Sequence, residues 1–162
     1  MITTPRLTLR RWEASDAPAL YRLASDPLVT RWLTWPTHTS VEDSAYALEH
    51  ALTGPEAYAV VWQDQLIGSI ELKLGNPIPE LGYWLGREFW GRGFATEAGH
   101  ALCERAFTEL GYPELLGRYF EGNDASKNVL TKLGFVATGV SAPYELPDRG
   151  EVRTIHEMLL RP

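Results

Sequence analysis

Trp90-Gly91-Arg92-Gly93-Phe94-Ala95-Thr96-Glu97-Ala98 is the stretch whose reading decides the fold. Before it, Glu80-Leu81-Gly82-Tyr83-Trp84-Leu85 reads as a strand. After it, Ala95, Ala98, Leu102, Ala106 and Leu110 recur with a helical period. A strand, a glycine turn and a helix N-terminus in that order make an anion site. Glycines let the backbone approach closely, and first-turn N–H groups have no intrahelical partner, so they point at a ligand. A phosphate or pyrophosphate is the expected guest; a glycine turn without a ligand is the bland alternative. Two familiar phosphate loops fit poorly. A P-loop needs Gly-Lys-Ser/Thr at its end, and here Gly93 is followed by Phe94 and Ala95. A dinucleotide fingerprint wants a third glycine where Thr96 stands, and an acidic residue about twenty positions on at the end of a second strand. Glu114 lies near that distance but precedes a strand.

Working outward, Asn123-Asp124-Ala125-Ser126-Lys127-Asn128-Val129-Leu130-Thr131-Lys132-Leu133-Gly134-Phe135 follows the next strand and opens the next helix. The glycine loop and this segment, in this order and at this spacing, resemble the GNAT superfamily of acyl-CoA N-acyltransferases. More narrowly they are similar to its RimJ/RimL-type branch, the protein N-terminal acetyltransferase-like group. That branch shows a tryptophan-glycine-basic-glycine-aromatic-alanine-threonine-glutamate-alanine loop, then asparagine-x-x-serine and a leucine-glycine-phenylalanine ending. All of these are present here, and the resemblance runs from Thr4-Pro5-Arg6-Leu7 to the last strand. The superfamily's commoner loop begins with glutamine or arginine where this chain has Trp90, a departure that is normal for the branch.

Composition sets the frame. A chain of 162 residues fits one domain with a real core. Its 44% hydrophobic and 22% charged residues are ordinary for a globular protein. No apolar run approaches the roughly 18 residues that span a bilayer, and the first residues lack a signal-peptide pattern. One cysteine excludes an internal disulfide, and no Cys/His cluster has zinc spacing, so no metal is expected. A cytoplasmic protein is the simplest expectation. The formal charge of −6 argues against nonspecific nucleic-acid binding and is compatible with a cationic amine or peptide.

The rest of the chain alternates strands and helices. Arg6 to Arg10 reads as a half-buried first strand. Ser15 and Asp16 cap a short helix, Asp26-Pro27 opens a second helical piece through Trp32, and Ser40 to Asp43 resembles a capping box for a helix ending near Gly54. Tyr58 to Trp62 and Leu66 to Leu72 read as a hairpin joined through Asp64-Gln65. The loop's helix stops near Gly111, a strand spans Leu115 to Phe120, and two final strands, Val136 to Ser141 and Val152 to Leu160, flank a Pro143 to Gly150 loop. No repeat or linker interrupts residues 1–162. The expectation is one α+β domain: a mixed, mostly antiparallel central sheet with helices on both faces. The resembled fold implies that this sheet is splayed between the Glu80 and Leu115 strands.

The resemblance implies acetyl-CoA as co-substrate and assigns roles. The backbone amides of Gly91, Arg92, Gly93, Phe94, Ala95 and Thr96 take the pyrophosphate, with Arg92 and Arg87 as partners for phosphate charge or as solvated surface arginines. Backbone groups of Trp84 and Leu85 hold the pantetheine arm as an added strand would. Asn123 bonds the arm with its side chain or caps the next helix. Ser126 delivers a proton to the departing sulfur, and a backbone N–H around Tyr83 to Leu85 holds the oxyanion. Glu80 is the first carboxylate to consider as base, Glu71 the second. Cys103 reads as core, the four histidines have no assigned role, and Trp32, Trp35 and Pro36 wall the acceptor pocket or simply pack. The expected reaction is acetyl transfer to a primary amine, foremost the N-terminal α-amine of a peptide or protein. The alternatives are a small amine (amino acid, polyamine or antibiotic) and a non-catalytic CoA-binding module. Exposed strand edges suit a homodimer.

Overall fold

Apolar alternation in the first half of the chain produces a run of antiparallel strands. In the computed structural model, which describes residues 1–162, β1 (Ile2–Thr3) and β2 (Leu7–Arg10) form a short hairpin. β2 pairs with β3 (Ala57–Trp62), β3 with β4 (Gln65–Lys73), and β4 with β5 (Glu80–Leu85), all antiparallel. β6 (Leu115–Phe120) runs parallel to β5, and β8 (Glu151–Leu160) and β7 (Val136–Leu146) complete an eight-stranded sheet in the order β1-β2-β3-β4-β5-β6-β8-β7. The fold is therefore α+β with the mixed, mostly antiparallel sheet that the sequence predicts.

Five helices pack on this sheet. α1 (Ala17–Ala24), α2 (Pro27–Thr30) and α3 (Val41–His50) separate β2 from β3. α4 (Phe94–Thr108) follows β5, and α5 (Asp124–Leu133) follows β6. Side-chain caps set the starts of α2 and α3, whereas α1 lacks the cap expected from Asp16, whose carboxylate turns to Arg10 instead. Asp26 accepts from the Leu28 N–H at 3.0 Å, and Ser40 accepts from the Asp43 N–H at 3.2 Å. Only half of the predicted box at Ser40 forms, because the Asp43 carboxylate turns to the Thr39 N–H and hydroxyl. The core joins Leu7, Leu9, Val60, Ile67, Ile70 and Leu81 of the strands to Phe94, Leu102 and Leu130 of the helices.

Several boundaries differ from the sequence reading. The β3–β4 turn is Gln63-Asp64, both at positive φ (49° and 60°), one residue earlier than predicted. α3 and α4 stop at His50 and Thr108, short of the glycines expected to end them. β7 runs through Pro143 to Leu146, leaving only the turn Pro147–Arg149 where a longer loop was expected. Proline is tolerated there because β7 is an edge strand, whose outward N–H groups have no ladder partner to lose.

One irregularity of the sheet matters most. β5 and β6 are each six residues long, yet they pair only at Glu80↔Leu116 and Leu81↔Gly117. Beyond those pairs the strands part, opening a wedge between Gly82–Leu85 and Arg118–Phe120.

Candidate active site

The glycine loop sits where β5 leads into α4. Gly91 (φ +73°) and Gly93 (φ +79°) both adopt the left-handed conformation that side chains disfavour. The first main-chain bond of α4 runs from the Glu97 N–H to the Gly93 carbonyl at 3.0 Å. The N–H groups of Phe94, Ala95 and Thr96 precede it and have no acceptor within the helix. A Cβ on Gly91 would meet no heavy atom within 4 Å, so the space over the loop is open. Beside it lies a surface hollow of about 580 Å³ whose walls include Thr4, Gly93, Thr96, His100, Glu104 and Lys132.

A brace holds this loop in shape. Glu97 accepts from the Thr4 hydroxyl (2.7 Å), the Arg6 main-chain N–H (2.8 Å) and Arg6 Nε (2.7 Å). Arg6 also donates to the Arg92 carbonyl at 2.9 Å, and its guanidinium lies 4.4 Å over the Phe94 ring. Burial alone would raise the Glu97 carboxyl, but the bonds from Thr4 and Arg6 outweigh it and hold its pKa below the ordinary value. The acid of the loop motif thus ties the N-terminal hairpin to the loop, a role that sequence reading did not assign. Phe94 is 2% exposed, so only its main chain faces outward. Arg92 lies over Trp62 at 5.2 Å, while Arg87 pairs with Asp26 at 2.9 Å rather than standing free.

Strand geometry revises the expectation for the pantetheine arm. The Gly86 N–H donates to the Ile67 carbonyl on β4 at 2.8 Å. Strand alternation then turns the main-chain groups of Trp84 toward β4 as well, opposite Ser69. Trp84 therefore cannot offer its backbone to the wedge; the groups facing it belong to Tyr83 and Leu85. The Leu85 carbonyl accepts from the Trp90 indole N–H at 2.9 Å, which gives the loop's first residue a definite function. Across the wedge, the Tyr83 hydroxyl lies 3.0 Å from both the carbonyl and Oγ of Ser126 in the first turn of α5. Burial pushes the Tyr83 phenol up to about 12, so it remains a donor. Asn123 caps α5 through Oδ1, accepting from the Ser126 N–H at 3.3 Å. This cap uses only the side-chain oxygen and leaves the Asn123 NH₂ for other partners.

The opposite sheet face carries a different chemistry. Alternation puts Ser69, Glu71 and Lys73 of β4 on the same side as Glu80, Gly82 and Trp84 of β5. Trp35, in the loop after α2, packs edge-on against Trp84 at 5.6 Å and against His38 at 5.1 Å. His38 shares a hydrogen bond with the buried Ser44 hydroxyl at 2.8 Å, and burial lowers its pKa.

Two carboxylates on this face contrast. Glu80 is 5% exposed, and both its oxygens are held by Arg118 at 2.8–3.1 Å. It stands at the closed end of the wedge, paired in register with Leu116. As a free base it is a poor fit, because taking up a proton there would break a two-pronged ion pair. Nor is it a surface charge. Glu71 faces Gly82 and makes no hydrogen bond or close ion pair; burial raises its carboxyl above the ordinary value, outweighing the lowering by the nearby Lys73 charge. Asp16, Glu56, Glu80 and Glu97 each have an arginine partner; Glu71 does not. Elsewhere, Cys103 is buried in the core with its thiol pushed up to about 12, which leaves no thiolate nucleophile at neutral pH.

Comparison with known proteins agrees with this geometry. A family model described as an acetyltransferase (GNAT) domain matches residues 6–136. The "Uncharacterized N-acetyltransferase p20" of Bacillus licheniformis is 32% identical over 152 residues, covering 88% of this chain and 85% of that protein. Among solved structures, the GNAT-family acetyltransferase from Bacillus anthracis superposes with a TM-score of 0.86 at 21% identity, over 99% of this chain and 97% of that one. RimL, a ribosomal L7/L12 alpha-N-protein acetyltransferase solved in complex with coenzyme A, gives 0.80 at 22% identity, over 98% and 95%. With the family shown over most of its length and the wedge, glycine loop and Asn-x-x-Ser turn in place, the chain belongs to the GNAT acetyltransferases and is an acetyl-CoA-dependent N-acetyltransferase.

Proposed function

We propose that this N-acetyltransferase acetylates the N-terminal α-amine of a peptide or protein, by direct attack of the amine on the thioester lodged in the β5–β6 wedge. The observation that carries the reading is Glu71, a carboxylate with no hydrogen bond or close ion pair, only the charge of Lys73 nearby, on the sheet face that also presents Trp84 and Trp35. An ammonium group supplies the partner it lacks, and its raised pKa brings it nearer to neutrality, where a base works best. Only modest proton removal is then required. An α-amine of pKa about 8 is roughly one unit from neutral at pH 7, costing about 1.4 kcal/mol, whereas a lysine near 10.4 costs about 4–5 kcal/mol. RimL, whose name assigns it an α-amine on a ribosomal protein, supports the same choice.

On the cofactor side, the first-turn amides of α4 and the loop from Gly91 to Gly93 hold the pyrophosphate, with Arg92 beside them. Arg87 reaches the phosphates only by leaving Asp26. The edge groups of Tyr83 and Leu85 meet the pantetheine arm together with the Asn123 side-chain NH₂, and a Tyr83 or Leu85 N–H faces the carbonyl oxygen. Ser126 acts as a relay: its hydroxyl gives a proton to the leaving thiolate as it takes one from the Tyr83 phenol, which is protonated at neutral pH and regains its proton from solvent. Glu71 replaces Glu80 as the group that accepts the amine's proton. A homodimer has its surface on the last hairpin, where Val136 (69% exposed), Val140 (54%) and Val152 (65%) flank the open β7 edge.

The test is thiol release from acetyl-CoA across matched panels. Peptides with free N-termini should turn over, and the same peptides blocked at the N-terminus but carrying lysine should not. Turnover confined to amino acids, polyamines or aminoglycosides would move the acceptor to small amines. Acetyl-CoA binding with no thiol release from any panel would favour the binding-module reading.

A further inference from the structure

The turn between β7 and β8 reaches back to the loop that walls the acceptor side. Arg149, half-buried in that turn, donates from Nη1 to the Arg31 carbonyl at 2.9 Å. From Nη2 it reaches the carbonyls of Thr30 (2.6 Å), Leu33 (3.2 Å) and Trp35 (3.1 Å). These partners lie 114 to 119 residues earlier in the chain. No carboxylate lies within ion-pair distance of Arg149, so its charge is met by converging carbonyl dipoles alone. Two of those carbonyls, Thr30 and Arg31, lie at the C-terminal end of α2; the first also accepts from the Leu33 N–H at 3.0 Å, and Arg149 adds to that bond.

Neighbouring groups extend the contact. Arg153 of β8 also donates to the Arg31 carbonyl and lies 5.3 Å over the Trp32 ring. The edge of that ring comes within 3.2 Å of where a Cβ on Gly122 would stand, in the turn that leads to Asn123 and Ser126. At the other end of the loop, Trp35 packs on Trp84. The segment from Thr30 to Trp35 is therefore fixed at one end to the last hairpin and at the other to β5.

We propose that Arg149 is a latch: it sets the position of the Trp32–Trp35 wall and thereby governs acceptor binding, without contacting the acceptor or acetyl-CoA itself. This rests on the reading above that the acceptor lies on the Glu71–Trp84 face. The planar fork of arginine is what the task requires, since a lysine ammonium presents one donor atom and cannot span four carbonyls of a curved loop.

The experiment compares Arg149→Lys with the parent enzyme, using acetyl-CoA and the best peptide from the panels. The expected result is an acceptor KM raised by about 10- to 100-fold, the cost of a misplaced positioning element, with acetyl-CoA affinity within about twofold of the parent. In a Trp35→Ala background the same replacement should add little, because residues acting through one element are not additive. Hydrogen exchange at residues 31–35 should quicken in Arg149→Lys while α4 and β5 keep their protection. An unchanged acceptor KM, an equal rise in both substrates' constants, or full additivity with Trp35→Ala would each overturn the latch. The exchange measurement needs no acceptor. It judges the latch even if every amine panel fails, and unchanged exchange at residues 31–35 also overturns it.

Discussion

At the scale of single residues, the site turns on which polar groups have partners. Ser126 has Tyr83 across the wedge, and Ser126→Ala should lower kcat by roughly 10²-fold while leaving the acetyl-CoA dissociation constant close to that of the parent. Calorimetry alongside steady-state kinetics separates the two. Glu71 makes a sharper prediction because its pKa is raised. A carboxyl that holds its proton more tightly in the folded chain than in the unfolded one makes ionisation a cost to folding. That cost begins as pH rises through the unfolded value, about 4.3, and is complete above the folded value. Glu71→Gln should therefore unfold at a higher temperature than the parent at pH 7, with the difference fading in acid. The same variant should lose most of its acetyl transfer. Glu80→Gln should behave oppositely: it takes from Arg118 at least one of three bonds and the opposing charge, and should cost about 1–3 kcal/mol of stability in urea titration, with activity falling only as far as folding does.

Among elements, the loop and its helix act as one unit braced from the N-terminus. Gly93 is the helix cap at φ +79°, a conformation that costs a side-chain-bearing residue about 1–2 kcal/mol. Gly93→Val should weaken acetyl-CoA binding by about tenfold or more, with acceptor KM little changed. Glu97→Gln should do the same more mildly, because it loosens Thr4 and Arg6 from the loop without bending its backbone. Fluorescence titration with free coenzyme A reads both. Acceptor-side elements are organised separately, by Trp35 against Trp84 and by the last hairpin against the Thr30–Trp35 segment, so the two substrates' constants should respond to different variants.

Over the whole molecule, the sheet divides the labour. Its parallel β5–β6 seam, the only parallel pairing in an otherwise antiparallel sheet, is where the ladder fails and a ligand can replace a strand. α4 and α5 place the glycine loop and Ser126 at this seam, while the α1–α3 segment and the β7–β8 hairpin build the other face. Arginines hold acids at three places far apart in sequence, Arg6–Glu97, Arg105–Glu56 and Arg118–Glu80.

The sequence by itself determined the loop, the helix it starts, the Asn-x-x-Ser turn, the β3–β4 hairpin and the strand that leads into the loop. Those features depend on local spacing: glycines at fixed positions, caps a few residues from their helices, and apolar side chains repeating at two or 3.6 residues. Tertiary structure alone decided which carboxylate is free and which strand groups face the wedge. Glu80 meets Arg118 across 38 positions and Arg149 meets Trp35 across 114, distances over which no local period carries information. Trp84 was misread for the same reason. Strand alternation is legible in one strand, but whether a main-chain group turns to a neighbour or to an open gap depends on what lies on either side.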